Sequence, residues 1–200
     1  SYCFIHGTNV RKKTNSILYF RKFVMFFLTK LLSLHFIFSP MDITITPIGY
    51  LETPFEAVAN MPIQPSVVAH TQGKAIVYEE FAKGLKDLEG FSHIILLFLL
   101  HKVEGYALEV VPFMDTVPHG VFATRSPKRP NRIGMSIVNL ERIEGNTIYF
   151  RGVDMLNGSP LLDIKPYYSY FDDRTEVRNG WLEGKKFTPE ILKSDNRFSN

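Results

Sequence analysis

The stretch IGMSIVNLERIEGNTIYFRGVDML, residues 133–156, decides the fold. Two strand-like runs flank Glu144-Gly145-Asn146, and a turn signal of this kind between such runs predicts a β-hairpin. Working outward, GVFAT (120–124) and YALEVVPF (106–113) read as two further strands. FSHIILLFLLH (91–101) is a nearly continuous apolar run, too short to span a bilayer, and reads as a buried central strand. Upstream of it, KAIVYEE (74–80) predicts a strand and EEFAKGLKDLEG (79–90) a short helix stopped at Gly90. DITITPIGY (42–50) alternates and then breaks at Pro47 and Gly49, as a strand running into a turn does. ETPFEAVANMPIQPSV (52–67) carries three prolines and predicts an ordered irregular loop. On the other side, SPLLDIKPY (159–167) closes the set. Many short strands with one minor helix predict a mainly β fold, a single closed or nearly closed barrel over residues 41–170. The tail, 171–200, is expected to pack back on the barrel through Trp181.

The net charge of +3 misleads as a guide to partners. Six of the 23 basic residues lie in residues 1–40 with no acid beside them, so the remainder holds 17 basic and 20 acidic residues, a net of −3. Any basic face of the body is therefore local. FVMFFLTKLLSLHFIFSP (23–40) is apolar behind a basic flank, but Lys30 and His35 interrupt it. The preferred reading starts translation at Met41 and leaves 1–40 outside the native fold, with a membrane anchor as the alternative. No stable membrane association is expected on that reading. Cys3 is the only cysteine, so the body has neither a disulfide nor a Cys-based zinc site, and a reducing, cytoplasmic compartment is expected.

Function has to be sought in motifs. No two glycines have G-x-G spacing and no P-loop is present, which argues against a Rossmann nucleotide turn. Neither H-E-x-x-H nor G-x-S-x-G occurs. GVFATRSPKRPNRIGMS (120–136) stands out instead: Arg125, Lys128, Arg129 and Arg132 without an acid, stiffened by Pro127 and Pro130. A surface loop has no packing reason to be so basic and so rigid at once.

That segment, followed by VDMLNGSPLLDIKPY (153–167) and preceded by FSHIILLFLLH, resembles the TrmO (TsaA-like) family over about residues 43–167. The resemblance implies an S-adenosylmethionine-dependent tRNA methyltransferase built on a β-barrel rather than a Rossmann sheet. The reaction it implies is methylation of N6 of threonylcarbamoyladenosine, 3′ to the anticodon of threonine tRNA. It assigns cofactor contacts to Gln64 and Pro65, Leu100 and His101, Arg125, Met135, and Asn157, Gly158, Ser159, Pro160 and Leu161. Many relatives carry Arg where Ile63 stands, Asp where Asn157 stands and Pro where Arg132 stands. A second domain that follows the barrel in many bacterial members has no counterpart in this sequence, so the grip on tRNA is expected to differ.

Each residue also has a plainer reading. Arg125 suits a cofactor carboxylate or a phosphate, because a guanidinium fork binds either, but a surface acid would serve it too. Lys128, Arg129 and Arg132 are the candidates for RNA backbone contact, against a merely solvated face. His93 reads as structural, and Asp163 and Lys165 share a strand face where they either pair or bracket the site. The partners expected are tRNA and no metal, with a homodimer left open. Methyl transfer to a weakly nucleophilic nitrogen requires loss of its proton, and the sequence names no base. The competing class is a non-catalytic RNA-binding barrel, which would not bind the cofactor.

Overall fold

The computed structural model describes residues 24–26, 43–57, 61, 70–185 and 194. Residues 1–44 and 45–200 form separate compact units. In the first, residues 24–26 are helical; the second carries the barrel.

Six antiparallel strands close on themselves in the order β1 (Gly49–Glu52), β2 (Gln72–Val77), β7 (Thr147–Arg151), β6 (Ile133–Glu144), β3 (His93–Leu99) and β8 (Pro160–Pro166). The hairpin turns where the sequence predicts. Glu144 pairs Thr147, and Gly145 takes a φ of 61°, the positive value a tight hairpin needs at its first central residue. The twelve-residue β6 is the spine of the barrel, pairing β3 through its first half and β7 through its second. Its first half alternates, with Gly134, Ser136 and Val138 inward and Ile133, Met135 and Ile137 outward. A Cβ on Gly134 would lie 2.5 Å from the Phe98 ring, so only glycine lets the two strands pack there.

The interior is filled by Leu51, Val77, Ile94, Leu96, Val138, Ile148, Phe150 and Leu161, all essentially inaccessible. Burying each such side chain contributes roughly 1.5–3 kcal/mol. Outward, β3 and β6 set Ile95 beside Ile137, Leu97 beside Met135 and Leu99 beside Ile133, an apolar outer face. Asp163 and Lys165 lie on the outside of β8 and pair at 2.7 Å.

Four expectations are corrected. The first strand begins at Gly49 rather than at residue 42. The predicted helix is two 3-10 turns, Glu79–Leu85 and Leu88–Gly90, because Lys86 is extended and Asp87 is left-handed (φ 66°). Segments 106–113 and 120–124 supply no barrel strand. They form a two-stranded ribbon, β4 (Glu109–Val110) with β5 (His119–Gly120), around a small second core of Val110 and Val121. Finally, Trp181 packs on that ribbon instead of on the barrel strands: its indole N–H donates to Ala123 O at 2.7 Å and its ring stacks on His119 at 4.3 Å. A short helix, α1 (Ser169–Asp172), precedes this tail. Among the described residues, no helix is long and apolar enough to cross a membrane and no His/Cys/Asp/Glu cluster could hold a metal.

Candidate functional site

The basic run folds through its own hydroxyls. Thr124 Oγ1 donates to Val121 O (2.9 Å) and accepts from Ser126 N (3.2 Å), and Ser126 Oγ accepts from Lys128 N (3.3 Å). Side chains of this kind satisfy backbone groups where prolines prevent a regular ladder.

The cations then fasten the loop to its neighbours. Arg129 Nη1 donates to Val121 O (3.1 Å) and Thr124 O (2.8 Å), Lys128 Nζ to Glu104 O (3.1 Å), and Arg132 Nη1 to Val103 O (2.5 Å). Arg132 is also one of two described non-glycine residues with positive φ (50°), and its carbonyl accepts from Leu100 N. These acceptors are neutral carbonyls. They orient the three positive charges without cancelling them.

Behind the loop lies a cavity of about 330 Å³, within the size range of small-molecule sites. The end of β3, the ribbon, the basic loop, the start of β6 and the return segment 154–159 all line it. Of the predicted cofactor residues, Leu100, His101, Arg125, Met135 and Ser159 line this one cavity, drawn from four separate stretches of chain. Asn157, Gly158, Pro160 and Leu161 do not. The Asn157 amide accepts from Thr53 N (3.1 Å) and donates to Glu56 (2.9 Å), which ties the return segment to the chain after β1. Leu161 is fully buried in the barrel core. Gln64 and Pro65 lie outside the described residues. Of the three RNA candidates, Arg129 reaches the cavity wall, whereas Lys128 and Arg132 hold the rim. His93 sits at the other end of β3, against Tyr167.

Two groups give the cavity its chemistry. His101 Nδ1 lies 3.3 Å from Ser159 Oγ, and burial, reinforced by Lys102, lowers its pKa and keeps the ring neutral near pH 7. Asp154 was not anticipated. Its carboxyl Oδ1 accepts from Ser136 Oγ at 2.5 Å, and burial pushes its pKa up to about 6 against the opposing pull of Ser136 and Arg125. The residue keeps some accessible surface where it lines the cavity, while protein packs around the rest of it. A sequence signal existed: Ser136 is the polar residue among the inward positions of β6.

The tail buttresses the opposite wall. Lys185 forms an ion pair with Asp115 and lies over the Trp181 ring at 4.9 Å, while His119 contacts the same carboxylate at 3.0 Å. Lys185 first, then His119, holds Asp115 far below the usual carboxylate range. Ser194 exchanges two hydrogen bonds with Met61 (2.8 and 2.9 Å), and both line the cavity.

Residues 50–173 match the tRNA-methyltransferase O N-terminal domain. A probable S-adenosyl-L-methionine-binding protein of Pyrococcus abyssi is 47% identical over 159 residues, 80% of this chain and 86% of that one. The mouse tRNA (adenine(37)-N6)-methyltransferase is 42% identical over 133 residues, which are 63% of this chain but 31% of the mouse protein. The crystal structure of TrmO from Pseudomonas aeruginosa superposes with a TM-score of 0.60 at 37% identity, covering 70% of this chain and 63% of that one. The chain thus spans most of the archaeal relative and less than two thirds of the other two. The match spans nearly the whole barrel and most of the residues that line the cavity, and the chain belongs to the tRNA-methyltransferase O family.

Proposed function

We propose that this protein methylates N6 of adenosine 37 in tRNA, with S-adenosylmethionine as donor, and that its acceptor is threonylcarbamoyladenosine in threonine tRNA. One observation carries the reading: residues from four stretches of chain that the family resemblance assigns to the cofactor converge on one cavity, under a rim of uncancelled cations. The lining suits the donor. Arg125 offers a guanidinium for its carboxylate, and Leu100, Met135 and Phe98 offer apolar surface. Bound there, S-adenosylmethionine supplies an electrophilic methyl group.

The rim suits the acceptor. Lys128, Arg129 and Arg132 attract phosphates, and the exposed rings of Phe122 and Tyr106 lie on the adjoining ribbon segments, where unpaired bases of a loop can stack. The threonylcarbamoyl group adds a carboxylate that the same cations can hold. The outer face of Ile95, Leu97 and Ile137, beside the cavity, supports a homodimer.

The test compares native threonine tRNA with an unmodified transcript of the same sequence, each incubated with protein and labelled cofactor, by mass spectrometry of the nucleosides. Methylated threonylcarbamoyladenosine from native tRNA is expected, at a rate far above that of any product from the transcript. Equal rates would refute the acceptor, and no label in either would refute methyl transfer.

A further inference from the structure

The cavity holds a carboxylate to which neither the family resemblance nor the relatives' names give a role. Asp154 lies in the segment that follows β7, and Ser136 is the fourth residue of β6, eighteen residues earlier. The closed barrel brings them together inside the cavity, with the Ser136 hydroxyl donating to Oδ1 at 2.5 Å. An inward serine in a strand otherwise packed on the core is a costly choice unless its hydroxyl is used, and here it fixes one carboxyl oxygen and the plane of the group.

We infer that Asp154 is the general base of the reaction and that Ser136 is its positioning residue, an inference that rests on the methyltransferase reading above. The acceptor N6 carries one proton, flanked by the purine and the carbamoyl carbonyl. As the N6–methyl bond forms, the sulfur–methyl bond breaks and its electron pair stays on sulfur, leaving a neutral thioether. The N6 proton passes to the Asp154 carboxylate, which then returns it to water. A proton acceptor is needed because a nitrogen between two electron-withdrawing groups is a poor nucleophile while it keeps its proton.

The surroundings suit the task. Burial in the cavity raises the carboxyl's affinity for a proton, while Ser136 and Arg125 keep it ionised at neutral pH. An acid whose pKa approaches the working pH is both deprotonated and basic enough to act. Among the described residues, Arg125, His101, Lys102 and Arg129 are the other titratable or charged groups on the same cavity. Burial holds the His101 pKa below its ordinary value but leaves it titratable, so a variant in contact with Asp154 is needed to assign the pH dependence.

The experiment measures kcat on native threonine tRNA at saturating cofactor across pH 5 to 8.5, beside cofactor affinity by calorimetry, for wild type, Asp154→Asn and Ser136→Ala. In the wild type, kcat falls on the acid side as one proton binds near the pKa of Asp154. Asp154→Asn lowers kcat by about 10²-fold or more, while its cofactor Kd stays within a few-fold. Ser136→Ala removes a hydrogen bond that favours the carboxylate, so its acid limb moves to higher pH with kcat at high pH largely retained. A titration of the Asp154 carboxyl by carbon-13 NMR, in protein without cofactor or tRNA, moves in the same direction. An Asp154→Asn enzyme with wild-type kcat overturns the assignment. So does a loss explained wholly by weaker cofactor binding, or an acid limb that ignores Ser136→Ala. A wild type that methylates at no pH refutes the methyltransferase reading together with it, whereas the other results refute the base alone.

Discussion

Replacing Asp154 by Asn is expected to stabilise the protein at neutral pH, and the size follows from the site. The unfolded carboxyl titrates near its ordinary 3.8, whereas in the fold burial holds its pKa at about 6. Between these values the native state binds the proton that the unfolded state has released. Stability therefore falls as pH rises through that window and is level above it. At 1.36 kcal/mol per unit, a shift of roughly two units costs up to about 3 kcal/mol once pH exceeds 6. The carboxyl's residual contact with the cavity reduces the working figure to about 1–3 kcal/mol. Asn keeps the shape and still accepts the Ser136 hydroxyl, but has no charge to desolvate. Urea unfolding of both proteins at several pH values between about 4 and 8 should show curves that meet at the acid end and diverge above it, with the variant more stable. A difference that is constant with pH, or a less stable variant at high pH, would refute the claim that the carboxylate is held against its solvation. Stability gained where activity is lost is a common signature of a functional group kept at the expense of the fold.

Three further outcomes are expected. Gly134→Ala forces a methyl to within 2.5 Å of the Phe98 ring and should lower unfolding stability by about 1–3 kcal/mol in chemical denaturation. Arg129→Ala should weaken tRNA binding and lower the slope of log affinity against log salt by about one unit or less, read by filter binding across a salt series. Trp181→Ala removes the bond to Ala123 O and the stack on His119, so amide exchange in residues 112–124 should accelerate by the equivalent of about 1–3 kcal/mol while the barrel strands stay protected.

The hairpin at Gly145 and the strand at 93–99 were legible because each is dictated locally, the first by a turn that needs positive φ and the second by seven consecutive apolar or half-buried residues. Other errors came from reading local signals without their neighbours. Gly49 looked like the end of a strand, yet it begins β1: a Cβ there would lie 2.1 Å from Ile76 O on β2, so the glycine permits pairing instead of stopping it. Segments 106–113 and 120–124 have strand composition but pair over only two residues each, because Val110 and Val121 bury against each other and not in the barrel. Asp154 escaped notice because a lone aspartate in VDML carries no spacing or period. Its meaning comes from Ser136, and only barrel closure puts the two in contact.

Long cationic side chains on a surface ordinarily sample many rotamers, and fixing one on a ligand costs roughly 0.5–1.5 kcal/mol in lost conformational freedom. Lys128, Arg129 and Arg132 are already tethered to Glu104 O, Val121 O, Thr124 O and Val103 O when the chain folds. For three such side chains the ordering cost is met by folding and not by association, roughly 1.5–4.5 kcal/mol in all. A polyanion arriving at this rim therefore encounters charges whose geometry is set beforehand. Its binding should show a smaller entropic penalty than the same number of free lysines and arginines would impose.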